Sequence, residues 1–394
     1  MNVFELKCKV QNYAWGELGE KSKVAQLIKS NDPEYAIDST KPYAELWMGT
    51  HPNGESIIKG NNEHLSNWIR NINGTNGQLS FLFKVLSINK ALSIQSHPNK
   101  EEAQRLHSLR PDVYKDPNHK PELAIALTEF KAMCGFRVYS EIQMFIQTLP
   151  ELQKLIGDSK AELFLKSPSE ETLKPCFEAL MKADDVAVVQ CLKDIEARLK
   201  NNSIKLDVHK DLFHKLKEQF PNDVGILCIY FLNVLHLQPG QAIYLGPNIP
   251  HAYIHGDCIE CMACSDNVIR AGLTPKYKDV DTLIKTLDYK GYNVDKLIFK
   301  SIKVNHYTEI FKPPVPDFAV AKVVVPPGTQ EKIKCAYDSD SIIIVVEGEA
   351  ESNAVKLSKG MILFIAKNED FYINNNSKEK SFILYQAMSN SSLL

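Results

Sequence analysis

A turn-and-strand unit occurs twice in the chain, and this repetition limits the fold more than any other feature of its 394 residues. Leu237-Gln238-Pro239-Gly240-Gln241-Ala242-Ile243-Tyr244-Leu245 aligns with Leu357-Ser358-Lys359-Gly360-Met361-Ile362-Leu363-Phe364-Ile365 at an offset of 120 (357 − 237). At the same offset Asn248 meets Asn368, whereas His251 meets Phe371. A glycine turn feeding a short apolar run reads as the entrance to a strand. Two such units predict a duplicated β-barrel in which only the first copy keeps a histidine. The runs Ile342 to Val346, Met361 to Ile365 and Phe382 to Tyr385 lie between Gly, Asn and charged turns, so the second copy is expected as a C-terminal antiparallel barrel or sandwich. Pro313, Pro314 and Pro316 mark the expected linker into it.

The remaining sequence divides by texture. Residues 1 to 138 alternate Gly, Pro and Asn with short apolar stretches such as Leu46-Trp47-Met48 and Phe81-Leu82-Phe83, which reads mainly as strands and loops. From Tyr139 to about Pro221 the pattern turns helical. Ser167, Pro168 and Glu170 form an expected capping box with Pro at the first helical position, and Val186, Val189, Leu192, Ile195 and Leu199 recur at helical spacing. Pro175 predicts a kink or two separate helices. This stretch gathers no candidate catalytic residues, so its apolar stripes are read as the core of a helical insertion. The fold class is therefore mainly β with a helical insertion. A central barrel is expected over 1–138 and 224–306, a helical domain over 139–223 and a second barrel over 307–394.

Charge excludes one class of partner. With 46 Lys and Arg against 48 Asp and Glu, the net charge is −2, so no global basic field exists to hold nucleic acid or an anionic membrane. Met1 to Val10 intersperses Glu5, Lys7 and Lys9 among apolar residues, unlike a secretory signal, and Ile226 to Leu232 is far shorter than the ~20 residues that span a bilayer. No membrane segment and a cytoplasmic location are expected. Nine cysteines then read as reduced thiols. Cys258, Cys261 and Cys264 could open an iron–sulfur motif, but Val268 stands where the fourth cysteine belongs, and strand alternation splits the three between two faces. Packing thiols are the favoured reading.

Three separated segments could carry metal chemistry. Ser93, Gln95 and His97 share one face of a short strand, His119-Lys120-Pro121-Glu122 leads into an apolar run, and Gly246-Pro247-Asn248-Ile249-Pro250 fixes His251 behind a stiff turn. Two imidazoles, one carboxylate and one carboxamide suit a divalent ion, zinc first, and Glu122 as the only anion would leave about one net positive charge to polarise a substrate oxygen. A histidine in a Pro-rich loop is also an ordinary surface residue, so spacing alone leaves both readings open. Asp266 lies four residues before Arg270, for which a surface ion pair is the default. No Walker loop or complete dinucleotide fingerprint occurs. Lys84, Lys120, Arg270 and Lys276 could supply a local basic site for a small phosphate ester, although each singly suits solvated surface.

Together these segments resemble the type I mannose-6-phosphate isomerases, or phosphomannose isomerases, zinc enzymes of the cupin superfamily. The pieces that carry the resemblance are Gln11 to Gly16, Ala44 through Pro52, Phe81 through Pro98, His119 to Glu122, Gly246 to Tyr253 and Asp266 to Gly272. The resemblance implies two cupin-like jelly-roll barrels, the first interrupted by a helical domain and the second without metal ligands. It implies one zinc ion (Zn2+) per chain on Gln95, His97, Glu122 and His251. Its substrate-site residues fall on Trp15, Lys84, Lys120, Tyr253, Asp266, Arg270 and Lys276.

The implied reaction interconverts mannose 6-phosphate and fructose 6-phosphate through an enediol and feeds GDP-mannose synthesis. Arg270 would assist at the enediolate with Lys120 nearby, and Asp266 would move a proton or orient Arg270. Lys84 and Lys276 would attract the phosphate, with Ser93 as a hydroxyl donor, while Trp15 and Tyr253 wall the pocket. His119, Glu260, Asp266 and a metal-bound water all stay open as the proton carrier. The competing readings are a cupin iron oxygenase, against which Gln95 argues, and a non-enzymatic sugar-phosphate-binding cupin, which has no need of Arg270 with Asp266. The expected partner is a small phosphosugar; oligomeric state is left open, and a monomer is compatible with the sequence.

Overall fold

The computed structural model describes residues 2–204, 207–335 and 337–390. Its spine is the strand His251–Ala263, which changes partners at Gly256. Before the glycine, His251 to His255 pair with Lys131 to Cys134; from Gly256 onward the strand pairs with Phe81–Ile88 on one side and Glu122–Ala126 on the other. Gly256 has φ +107°, and a Cβ there would sit 2.3 Å from the Glu129 carbonyl oxygen, so only glycine permits this corner. The result is a twelve-stranded sheet that bends into the first barrel.

The second barrel combines an eight-stranded sheet with the four strands Thr329–Lys334, Tyr372–Asn375, Glu349–Ser352 and Lys356–Ser358. The strand Val3–Lys7 pairs with Ile362–Ile365, so the start of the chain completes the second barrel's sheet. Between the barrels lies an apolar layer that joins Leu46, Phe83, Ile125 and Ile259 to Ile342, Ile344, Phe364 and Ala387. The chain is thus mainly β, with two cupin-like jelly-roll barrels and a helical insertion, as expected.

The internal repeat is a repeat of backbone geometry. Gly240 and Gly360 have φ of +89° and +87°, and Asn248 and Asn368 have φ of +64° and +61°. The Gln241 N–H reaches the Gln238 carbonyl at 2.9 Å, and the Met361 N–H reaches Ser358 at 3.1 Å. Phe371 is fully buried among Leu363, Ile373 and Leu384. The prolines 313, 314 and 316 differ from expectation. Thr308–Phe311 already pairs with Ala319–Val325, so the prolines form a loop within the second sheet and not a linker ahead of it.

Helices Tyr139–Thr148, Pro150–Ile156, Asp158–Lys166, Glu170–Met181, Asp185–Lys200 and Lys210–Gln219 build the insertion. Its core of Phe164, Phe177, Leu180, Ile195 and Phe213 is continuous with Phe136 and Phe231 beside the first barrel. Three local readings change. The capping box is formed by Ser169 with Thr172, because Ser169 is the residue whose extended backbone lets its hydroxyl reach the helix N–H groups. Pro175 lies inside one unbroken helix: the bond it removes is outweighed by Leu173, Cys176, Phe177 and Leu180, all buried around it. The apolar stripe of Asp185–Lys200 starts at Val188, while Val186 is 77% exposed.

Residues 1–138 also carry helices Lys23–Asn31, Leu65–Asn73 and Lys100–Leu109, which sequence texture concealed. Cys258 and Cys261 are buried on opposite faces of their strand, in agreement with packing thiols, and burial pushes the half-buried Cys264 thiol up to about 12. Among the described residues, no helix is long and apolar enough to cross a membrane.

Candidate active site

Strand alternation aims the polar residues inward. On Ile269–Gly272, Ile269 and Ala271 join the helical core, which turns Arg270 the other way, toward the barrel cavity. Ala252 and Ile254 do the same for His251 and Tyr253. The short strand Ile94–Ser96 lies between these two, with Gln95 opposite both His251 and Arg270. Glu122 opens its own strand opposite Leu245 and Met262.

His97, Glu122 and His251 converge, with candidate ligand atoms all within 4.8 Å of one another. Each is at most 2% exposed. The Nδ1 of His97 lies 2.7 Å from the Asn267 carbonyl oxygen, and that of His251 lies 2.9 Å from the Ile249 carbonyl oxygen. A carbonyl only accepts, so each ring carries its proton on Nδ1 and presents a lone pair from Nε2. Burial brings the His97 imidazole down to about 4, which keeps it neutral. Both Nε2 atoms are buried without a hydrogen-bond partner, although Glu122 oxygens lie 3.3 Å from His97 and 3.4 Å from His251. Two lone pairs facing a carboxylate repel one another unless a cation sits between them, and the set of imidazole and carboxylate donors fits zinc. Lys120 Nζ stands 3.3 Å from Glu122 Oε1. Burial, the largest influence, opposes ionisation of Glu122, but Lys120, His97 and His251 together outweigh it and hold the carboxyl well below the usual range.

A cavity of about 750 Å3 opens in front of this cluster. Trp15, Lys84, Ser93, Gln95, Lys120, Tyr253, Asp266, Arg270 and Lys276 all line it, together with Glu122 and Glu260. Lys84 is buried in an ion-pair cluster, 3.0 Å from Glu260 Oε2 and 3.3 Å from Glu45 Oε2, and Glu45 also accepts the Trp47 indole N–H. Burial alone would lower the Lys84 ammonium, yet the two carboxylates hold it above its ordinary value. Its charge is therefore matched twice over. Burial raises the Glu260 carboxyl against the pull of Lys84, and burial followed by Glu260 and Glu122 keeps the Tyr253 phenol protonated.

Asp266 and Arg270 do not pair. Asp266 Oδ1 lies 3.6 Å from His51 Nε2, and its backbone N–H donates to Asp116 at 2.8 Å. His51 Nδ1 accepts the Asn53 N–H, which leaves the ring proton on Nε2, facing Asp266 and holding its carboxyl below the usual range. Arg270 has no carboxylate partner among the described residues; burial alone lowers its guanidinium from the ordinary value. His119 turns from the cavity toward Asp317, with Nε2 and Oδ2 3.0 Å apart. Trp15 stacks on Tyr13 at the rim, and Lys276 is exposed there.

Sequence reasoning missed Glu45 and His51. Glu45 left one signal, a charge alternating with Trp47 in an otherwise apolar strand; His51, just beyond that strand, left none that separates it from a surface histidine.

Protein-family models match three parts of the chain: the catalytic domain of type I phosphomannose isomerase over residues 3–139, its helical insertion domain over 152–232 and its C-terminal domain over 308–353. Mannose-6-phosphate isomerase of Bos taurus is 45% identical, with 93% of this chain and 94% of that protein covered. The Homo sapiens protein of the same name is 42% identical, with 98% of each covered. The apo crystal structure of mannose 6-phosphate isomerase from Salmonella typhimurium superposes with a TM-score of 0.85 at 32% identity, covering 99% of both chains. A zinc-bound crystal structure of mannose 6-phosphate isomerase gives 0.85 at 32%, covering 99% of this chain and 100% of that one. Matched over nearly its whole length in both sequence and structure, the chain belongs to the type I phosphomannose isomerase family.

Proposed function

We propose that the protein is a zinc-dependent aldose–ketose isomerase that interconverts mannose 6-phosphate and fructose 6-phosphate. One observation carries the reading: two imidazoles with unpartnered Nε2 atoms face a buried carboxylate at the floor of a cavity that also holds a guanidinium with no carboxylate partner among the described residues. Gln95, His97, Glu122 and His251 would hold one zinc ion per chain; when bound, it would polarise the sugar oxygens at C1 and C2 and offset the negative charge that develops on them.

The chain's own groups do the rest. The reaction removes the C2 proton of mannose 6-phosphate and returns a proton to C1, so carbonyl and hydroxyl exchange places through an enediol. Arg270 donates to the enediolate oxygen, and Lys120 adds positive potential beside it. Proton transfer falls to a carboxylate on the cavity, Glu260 or Asp266, since His119 is taken up by Asp317. Because Glu45 and Glu260 match the charge of Lys84, attraction of the phosphate rests mainly on Arg270 and Lys276, with the Ser93 hydroxyl as a donor. Trp15 and Tyr253 wall the sugar from water.

On this reading 1–138 and 224–306 form the catalytic unit, 139–223 the helical domain and 307–394 a barrel without metal ligands. The protein works as a cytoplasmic enzyme, needs neither nucleic acid nor membrane, and feeds mannose metabolism and GDP-mannose synthesis. The test is purified protein with mannose 6-phosphate, following fructose 6-phosphate before chelation, after it and after zinc is returned. Turnover that disappears and comes back supports the proposal; folded, zinc-replete protein that forms no fructose 6-phosphate defeats it.

A further inference from the structure

The helical insertion reaches the cavity at its last turn. Gln219 Oε1 accepts the Ala91 N–H at 3.0 Å, and Phe220 lines the cavity with the Lys90 ammonium 4.4 Å from its ring centroid. Three residues on, Asp223 grips two parts of the chain at once. Its Oδ1 accepts the N–H groups of Gly225 at 2.7 Å and Leu273 at 2.8 Å, and its Oδ2 accepts that of Thr274 at 3.2 Å.

Leu273 and Thr274 leave the strand that carries Arg270 and lead to Lys276. Leu273 has φ +53°, a conformation that a residue with a branched side chain avoids without outside support. The support is visible on both sides. A Cβ on Gly272 would lie 2.7 Å from Gly225 Cα and 3.0 Å from Asp223 Oδ1, so the two backbones touch where the carboxylate binds. Thr274 Oγ1 then accepts the Lys276 N–H at 3.1 Å. Leu273, Thr274, Pro275 and Lys276 all line the cavity.

We propose that Asp223 is a positioning residue for the sugar-phosphate site: by holding Leu273 left-handed it fixes the path from Arg270 to Lys276 at the cavity rim. The inference rests on the isomerase reading and extends it, since it gives the helical insertion a share in substrate binding. Asp223 touches no substrate; it acts through the backbone of the residues that do.

The experiment compares wild type with Asp223→Asn, whose carboxamide keeps one acceptor oxygen and turns a donor toward an N–H. Expected are a KM for mannose 6-phosphate raised about tenfold, an inhibition constant for inorganic phosphate raised in step, and unchanged zinc content. Trypsin should also cut faster after Lys276. A purely structural role predicts lower thermal stability with KM and phosphate inhibition at wild-type values, and that result overturns the proposal. Should Asp223→Asn fail to fold, Thr274→Val removes only the Lys276 acceptor and should raise KM about threefold; an unchanged KM there has the same force. Failure of the isomerase reading looks different, because wild type then shows no turnover while the trypsin comparison still reports whether Asp223 holds the segment.

Discussion

The two barrels place different chemistry on one hydrogen-bonded frame. Asn248 donates its N–H to the His97 carbonyl at 2.8 Å, and Asn368 donates to Tyr337 at 3.2 Å. Gln95 pairs with His251, while the Cys335 N–H reaches the Phe371 carbonyl at 2.9 Å. Leu245 faces Glu122 where Ile365 faces Ser341. Gln95, His97, Glu122 and His251 therefore have Cys335, Tyr337, Ser341 and Phe371 as their counterparts. One layer deeper, Glu260 opposite Ala124 becomes Gln386 opposite Ile343, and Lys84 opposite Glu260 becomes Ala321 opposite Gln386.

In the second barrel every charge of this set is gone, and the polar atoms that stay are neutral. Gln386 Nε2 donates to the Cys335 carbonyl and to Ser341 Oγ, both at 2.9 Å. Burying charge is costly unless it is paired or meets a cation. Since the frame closes without charges, those of the first barrel are not required by the fold, and function is what retains them.

The sharpest break of the comparison comes from truncating the matched pair His251 and Phe371. His251→Ala should remove bound zinc and bring kcat/KM down by about a thousandfold or more, the scale of losing a polarising ion. Phe371→Ala should keep its zinc and cost about 3–5 kcal/mol of stability as a core cavity. Metal analysis and urea unfolding of both variants decide it; equal zinc loss would mean that the ion does not belong to the first barrel alone.

A smaller effect separates Glu260 from Gln386. Glu260→Gln keeps the side chain's shape and leaves Glu45 to balance Lys84, so the protein should fold while kcat falls about a hundredfold. Gln386→Leu leaves the Cys335 carbonyl and Ser341 without their donor, which should cost about 1–3 kcal/mol with kcat unchanged. A fall in kcat for the folded Gln386 variant would show that the second barrel shapes catalysis.

How much of this the sequence discloses depends on the range of the interaction. The glycine and asparagine turns at 240, 248, 360 and 368 are local, so the repeat is readable as a string. The counterparts Cys335, Tyr337 and Ser341 are not, because the helical insertion and unequal loops give each strand pair its own offset. His97, Glu122 and His251 were legible as residue types; that their Nε2 atoms face one carboxylate follows from two carbonyls, of Asn267 and Ile249, which no spacing reveals. Lys84 read as a phosphate attractor because Glu45 and Glu260 reach it from different strands. At Pro175 the buried neighbours Leu173, Cys176, Phe177 and Leu180 hold one helix across the proline, whereas Val186 shares the helical spacing but falls before the first buried position, Val188, and stays exposed.

The weakest asymmetry lies one residue earlier, where Pro121 precedes Glu122 and Asp340 precedes Ser341. Asp340 Oδ1 accepts the Lys367 N–H at 2.8 Å, and Oδ2 accepts Asn73 Nδ2 at 3.0 Å, a bond that crosses between the barrels. Burial raises its carboxyl above 3.8, although these bonds oppose the rise. Between 3.8 and that raised value the folded protein holds more proton on Asp340 than the unfolded chain does. Its contribution to stability accordingly falls as pH rises through this window, and the full cost is present above it. Asp340→Asn has no charge to desolvate and keeps one acceptor. The variant should match wild type near pH ~4 and gain on it toward pH ~7 by at most about 1 kcal/mol, since the partly exposed carboxylate is screened by solvent. Urea midpoints for both proteins across that range measure the difference. A variant that instead loses ground as pH rises would mean that the charged bridge to Asn73 outweighs desolvation, and that the second barrel relies on a charge after all.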